Sequence, residues 1–234
     1  TPKKQQLLTA GLQYQIDSNK NLIFETGISD FDPNTFSKIN NETHKGVATK
    51  LIYDERRTIS KEKELVLNSK LNYEFVQDRF RPLERFRNVE FTRDWNVNPA
   101  EKPQNEHLGT VSFSFEKQAF SADKSQAKLG YQLGTYLRGT TFKGFQHLLN
   151  LAYSKHGYRV LGRGDWIQQE GLLSKGNFFR PYFELEKQFS KFQNLAVGSR
   201  YLVEHNALKS SDADTLLKSA FSFDALTLYV KNSL

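Results

Sequence analysis

The chain has no cysteine and no methionine. The first absence excludes disulfides, thiolate metal sites and a cysteine nucleophile. It suits an envelope protein that keeps no stray thiols, although many cytosolic proteins also lack cysteine. The second absence leaves no initiator residue. With Thr1 at the start, the expectation is a processed protein or a fragment of a longer one, any signal peptide already removed. No apolar run reaches the ~18 residues of a membrane-crossing helix. That leaves a membrane barrel open, because barrel strands alternate and each gives only a weak signal. Like charges never run for five residues, so the formal net charge of +7 reads as a solvated surface with excess Lys and Arg. Without a basic helix or an aromatic RNA-binding signature, nucleic acid is not an expected partner.

What is present is aromatic and periodic. Apolar residues make up only 38% of the 234 residues, yet there are 19 Phe and 10 Tyr. These residue types pack well on a pleated, half-buried surface, so the composition suggests strands with one wet face. The dominant period is two. Leu8, Ala10, Leu12, Tyr14 and Ile16 share one face, opposite Thr9, Gly11, Gln13 and Gln15. The turn-forming stretch 17–21 follows, then Leu22, Phe24, Thr26 and Ile28, and the two segments read as a hairpin. The clearest strand spans 64–78. Leu65, Leu67, Ser69, Leu71, Tyr73 and Phe75 face one way; Glu64, Asn68, Lys70, Asn72 and Glu74 face the other, with Val66 the exception.

Further strands are expected at 46–58, 108–119, 125–138, 142–155, 157–168, 177–189 and 194–206, with 214–231 as one very long strand or two bent near Asp224. Pro181 is expected at an edge, a bulge or a strand start, and Gly162 and Gly164 at a bulge or close-packing position. Long loops are expected near 30–45 and 79–106, the second holding Pro82, Pro99 and Pro103. Many strands exceed the ~5–6 residues usual in soluble sheets and match the ~9–11 of a tilted transmembrane strand. Short turns at 18–20, 121–124 and 155–157 alternate with longer loops, as in outer-membrane barrels. Arg138 and Glu204 must then face a lumen or water, since charge facing lipid at mid-bilayer costs ~2–4 kcal/mol.

Chemistry-bearing motifs are sparse. The five histidines, His44, His107, His147, His156 and His205, have no metal-ligand spacing. There is no Gly-x-Ser-x-Gly elbow, and Arg163-Gly164-Asp165 falls within a strand pattern. Glu184 and Glu186 share a strand face without an identifiable catalytic partner. No catalytic residue, cofactor site or metal site is assigned, and the chain is not expected to be an enzyme. The most unusual constellation is the run 81–96, which interleaves Arg with Phe and Trp. Arg81, Arg85, Phe86, Arg87, Phe91, Arg93 and Trp95 are the candidate partner-contact residues, because Arg and Trp dominate interface hot spots. The competing expectation is a salt-bridged loop that folds back onto or into the sheet.

At this loop the sequence resembles a known group. The stretch 85–96, together with 28–37 followed by 45–50, and Tyr136-Leu137-Arg138-Gly139 with Phe142-Lys143-Gly144, resembles segments of large, uncharacterised β-rich outer-membrane or surface proteins of Bacteroidota. The resemblance implies an envelope location and a place within a much longer chain, and it carries no functional residue with it. Ser233-Leu234 departs from the terminal aromatic usual in complete barrels, which favours a fragment or internal domain.

The combined expectation is an all-β, antiparallel meander of about 11–12 long strands in a single domain over 1–234, forming an outer-membrane type β-barrel or part of a larger one. Its role would be structural, pore or translocation, in the outer membrane or at the cell surface of a Gram-negative bacterium. Outer-membrane lipid and other chains of an envelope complex are its expected partners. The alternative is a soluble, surface-exposed or periplasmic sheet that binds glycan or protein.

Overall fold

A computed structural model describes residues 2–36, 44–88, 91–97, 102–117, 125–189, 195–213 and 215–232. The chain folds as one antiparallel meander in which every strand pairs with its neighbours in sequence. The strands are β1 (Lys4–Asp17), β2 (Lys20–Asp32), β3 (Lys45–Ser60), β4 (Leu65–Val76), β5 (Glu106–Lys117), β6 (Gln126–Arg138), β7 (Phe142–Lys155), β8 (Tyr158–Gly171), β9 (Ser174–Phe189), β10 (Leu195–Ser210) and β11 (Phe221–Asn232). The helix α1 (Phe91–Asp94) is a single turn inside the β4–β5 connection. Among the described residues no pairing joins β1 to β11, so the sheet is open.

The alternation in the sequence becomes two faces in space. The register pairs Leu65, Leu67, Ser69, Leu71, Tyr73 and Phe75 with Lys117, Phe115, Phe113, Val111, Gly109 and His107, so all of these share one side. The same side carries Leu8 to Ile16 of β1 opposite Leu22 to Ile28 of β2, Leu129, Tyr131 and Leu133 of β6 and Phe183 and Leu185 of β9. Many of these side chains, among them Leu8, Phe24, Leu71, Phe113, Tyr131 and Phe183, are exposed large hydrophobics, and others such as Leu65, Phe75 and Leu133 are half-buried. The opposite side holds the buried polar residues Ser29, Arg138, Asp165, Gln169, Glu184, Glu186 and Asn206. The polar side is the concave one: the single β4–β5 connection lies across it and reaches from Gln5 of β1 to Arg180 of β9. Arg138 and Glu204 lie on it, away from the apolar side. Charges on the apolar face, such as Lys143, Glu170 and Lys175 at one end and Lys117, Lys155 and Lys187 at the other, sit toward strand ends.

Connections differ between the two ends of the sheet. One end has the turns 18–19, 61–64 and 156–157; the expected turn at 121–124 belongs to this end but lies outside the described residues. His156 and Gly157 both have positive φ (49° and 77°), the backbone of a type I′ hairpin turn, for which Gly157 carries no Cβ penalty. The other end has the longer connections 33–44, 77–105 and 211–220 beside two tight ones, 139–141 and 172–173.

Three expectations need correction. Pro181 lies in the middle of a central strand, not at an edge or start. It pairs with Gly164 of β8. On its other side the ladder to β10 is interrupted between Leu202↔Tyr182 and His205↔Phe179 and then resumes in the same register. A proline has no N–H to give, and a local gap accommodates that without a bulge. Gly162 and Gly164 also lie in unbroken register, and an added Cβ would make only ordinary contact with Leu151 and Leu149. Finally, β11 is one strand that begins at Phe221, and Asp224 pairs with Val203 without a bend.

Candidate functional site

The concave face is filled at one end by the 77–105 connection, which docks through backbone seats and ion pairs. Phe80 lies against the β2–β3 pair. A Cβ on Gly46 would come within 2.1 Å of the Phe80 backbone nitrogen, so glycine is the only residue that lets the loop approach there. Next to it the Arg81 N–H donates to the hydroxyl of the fully buried Ser29 at 2.9 Å. Gln5 of β1 donates to the Arg81 and Pro82 carbonyls at 3.2 and 2.9 Å.

Arg87 is the electrostatic centre of the loop. Its guanidinium reaches Glu74 and Glu106 at 2.8 Å each and lies 4.4 Å over the Phe91 ring. One planar cation thus ties two adjacent strands to the loop with charge-assisted bonds. Past it, α1 presents Phe91 edge-on to Tyr136 at 5.0 Å, and the ring of Trp95 follows at 5.6 Å from Tyr136. Trp95 rests on Gly144, where a Cβ would fall 2.6 Å from its ring. Trp95, Tyr136, Phe142, Ile167, Phe178 and Leu208 form a buried apolar cluster on a mainly polar face. Asp94 pairs with Arg180 at 3.8 Å, and Asn96 donates to Ser174 at 3.4 Å. The loop therefore touches strands from β1 to β9.

The candidate contact residues divide accordingly. Arg81, Arg87, Phe91 and Trp95 turn toward the sheet or the loop's own carbonyls, the Arg81 guanidinium donating to Asp78 and Phe80 at 2.7 and 3.0 Å. Arg85 and Phe86 stay exposed. The Arg93 side chain lies outside the described residues. Sequence reasoning missed Gly46 and Gly144, whose inward strand positions opposite a tryptophan- and phenylalanine-bearing loop were the available signal.

A second constellation lies toward the other end of the face. Glu184 and Glu186 do share a side, and both are buried. Tyr182 donates to Glu184 through a short hydrogen bond. Tyr229 reaches across β10 over Gly198 to Glu184 and Glu186 at 3.0 and 2.8 Å. Arg200 pairs with Glu184 at 3.2 Å and Lys231 with Glu186 at 2.6 Å. Each carboxylate is thus matched by cations and phenols, an arrangement suited to holding strands in register. Beside β1–β7 at the same end lies a groove of about 650 Å³ lined by Asp54, Arg56, Asn68, Lys70, Ser112 and Gln132 among others.

Among the described residues no group of three His, Cys, Asp or Glu side chains could hold a metal ion. The Arg163-Gly164-Asp165 triplet lies inside β8, with Asp165 buried. His107 and His147 lie on the apolar face, where they bond Tyr73 and Tyr131 at 2.7 and 2.8 Å. Trp166 stacks on His147 and donates to Asn177 at 2.7 Å. Comparison with protein-family models, characterised proteins and solved structures finds no match to this chain. No helix among the described residues is long and apolar enough to cross a membrane, which says nothing of a crossing by strands.

Proposed function

We propose that the chain is a section of the wall of a transmembrane β-barrel of the outer-membrane type, with a structural, pore or translocation role and no enzymatic one. The observation that carries this reading is the apolar face that runs across all eleven strands, much of it exposed and interrupted at a few positions such as Glu55, Ser69 and Asp224, backed by a mainly polar concave face and with most of its charge toward the strand ends. In water such a surface far exceeds the few hundred Å² of apolar patch that monomeric soluble proteins expose. In lipid it is the expected outer surface. The phenol–imidazole pairs Tyr73–His107 and Tyr131–His147, with Trp166 beside them, suit an interfacial depth where one end of a ring is apolar and the other hydrated. The location that follows is the outer membrane or surface of a Gram-negative bacterium. The surroundings are outer-membrane lipid and other chains of an envelope complex.

The test is membrane partition of the full chain. It should float with outer-membrane vesicles and stay with them through alkaline carbonate washing. A chain that remains soluble and monomeric without detergent would overturn the reading and leave a surface-exposed or periplasmic sheet that binds glycan or protein.

A further inference from the structure

We infer that the two edges of the sheet are pairing surfaces for an odd number of amphipathic antiparallel strands from outside residues 1–234, and not for each other or for a second copy of this chain. Three observations carry this. The first is edge composition. From Gln5 to Ile16, β1 has no charge and no proline. Soluble sheets protect long edges with lysine, proline, bulges or covering loops. Here the only irregularity is the register shift between Gln15 and Asp17 at the turn. An edge of this kind is a template for strand addition.

The second observation is exposure along the apolar face. In mid-sheet, Leu71, Phe113 and Leu149 are 38%, 45% and 48% exposed, because a neighbouring strand covers each flank. At the edges Leu8, Leu226, Leu228 and Val230 rise to 71%, 66%, 75% and 67%. The apolar row therefore runs to the last strand on both sides, with Ser222 and Asp224 at one end of β11 as the polar exceptions. A further strand with outward apolar residues at alternate positions would bring the edges to the mid-sheet value.

The third is parity. In an antiparallel meander, strands of odd number run the same way, so β1 and β11 are parallel in direction. Joining them directly, or joining β11 to β1 of a like-oriented copy, makes a parallel seam in a sheet where every other pair is antiparallel. An odd number of added strands gives antiparallel pairing at both edges and an even total, the rule in bacterial single-chain barrels. A copy related by a two-fold axis could meet β1 antiparallel, but it would stand upside down with its long connections on the opposite side. That exclusion and the odd count, which needs closure into one barrel, rest on the membrane reading; antiparallel strand addition at each edge does not.

The experiment places the photo-crosslinking residue p-benzoylphenylalanine singly at Thr9 or Gln13 of β1, or at Thr227 of β11, in the full chain made in its native cells. Adducts should map to residues outside 1–234, in a stretch that alternates apolar and polar. Moving the label from Thr9 to Gln13 should move the adduct about four residues in the reverse chain direction, as antiparallel pairing demands. Adducts between β1 and β11, between two β1 strands, in an irregular stretch or shifting in the same direction would each overturn the inference. So would the absence of adducts at both edges. As a check free of substitutions, amides of Leu8–Gln13 should exchange at least tenfold more slowly in the native assembly than in the isolated chain, and equal rates count against the proposal. Vesicle flotation reads the membrane question separately, so failure of one reading is distinguishable from failure of the other.

Discussion

The two ends of the concave face are built on the same strands with the same alternation, yet they hold opposite contents. Toward the 77–105 connection, inward positions carry Tyr136, Phe142, Ile167 and Phe178, which are buried with Trp95. A few residues along the same strands, inward positions carry Gln132, Asn150 and Ser114 around an open groove. Period two assigns each residue to a side but does not say whether that side is dry. Dryness at the first end comes mainly from one loop that brings its own aromatic rings and finds glycine seats to rest on, with Leu217 and Ala220 of the 211–220 connection packed beside it. At the second end no described residue covers the groove, and its polar residues are left open.

That contrast can be broken by experiment, beginning where the loop's grip is strongest. Replacing Trp95 with Ala removes the largest side chain of the buried cluster and should cost ~3–5 kcal/mol of loop docking, the range for aromatic truncation in cores. Trypsin should then cut at Arg85 and Arg87 much faster, with the far-UV circular dichroism unchanged because the strands remain. Continued protection of those sites would mean that the cluster does not hold the loop.

Next in size is Arg87→Ala, which leaves Glu74 without the cation it shares with Glu106, while Glu106 keeps only Arg138 at 3.7 Å. Breaking a buried pair costs ~3–5 kcal/mol, and partial exposure here lowers the expectation to ~2–3 kcal/mol. Arg87→Lys should recover only part: a single guanidinium nitrogen, Nη2, makes both contacts, and an ammonium keeps that charge but loses the planar face over the Phe91 ring. Urea titration of loop protection measures both variants, and full recovery by lysine would show that point charge alone suffices.

The smallest effect belongs to the open end. Lys128 pairs with Glu116 at 2.6 Å, but the lysine is more than half exposed. Lys128→Ala should cost only ~0.2–1 kcal/mol and leave loop protection unaltered. A loss as large as that of Arg87→Ala would erase the distinction between the two ends.

Much of this was legible in the chain. The hairpin of β1 and β2, the two faces of β4 and the inward placement of Arg138 and Glu204 follow from alternation and the cost of a misplaced charge. The run 81–96 announced itself through its Arg, Phe and Trp content, and salt-bridged folding back onto the sheet was among the expectations. Its seats did not announce themselves. Gly46 and Gly144 are ordinary strand glycines until a loop from elsewhere in the chain lands on them. Pro181 misled because a local rule about edges was applied where a gap in one ladder sufficed.

By itself, then, the sequence determined the strands, their antiparallel order and which residues share a side, because backbone pleating enforces a period of two wherever a strand forms. Tertiary structure alone decided which stretch of the inward side became a packed core, that Tyr229 would reach over Gly198 to Glu184 and Glu186, and that β1 and β11 would not pair with each other among the described residues. Those outcomes depend on contacts between residues far apart in the chain, and a period read along one strand holds no information about what crosses over it.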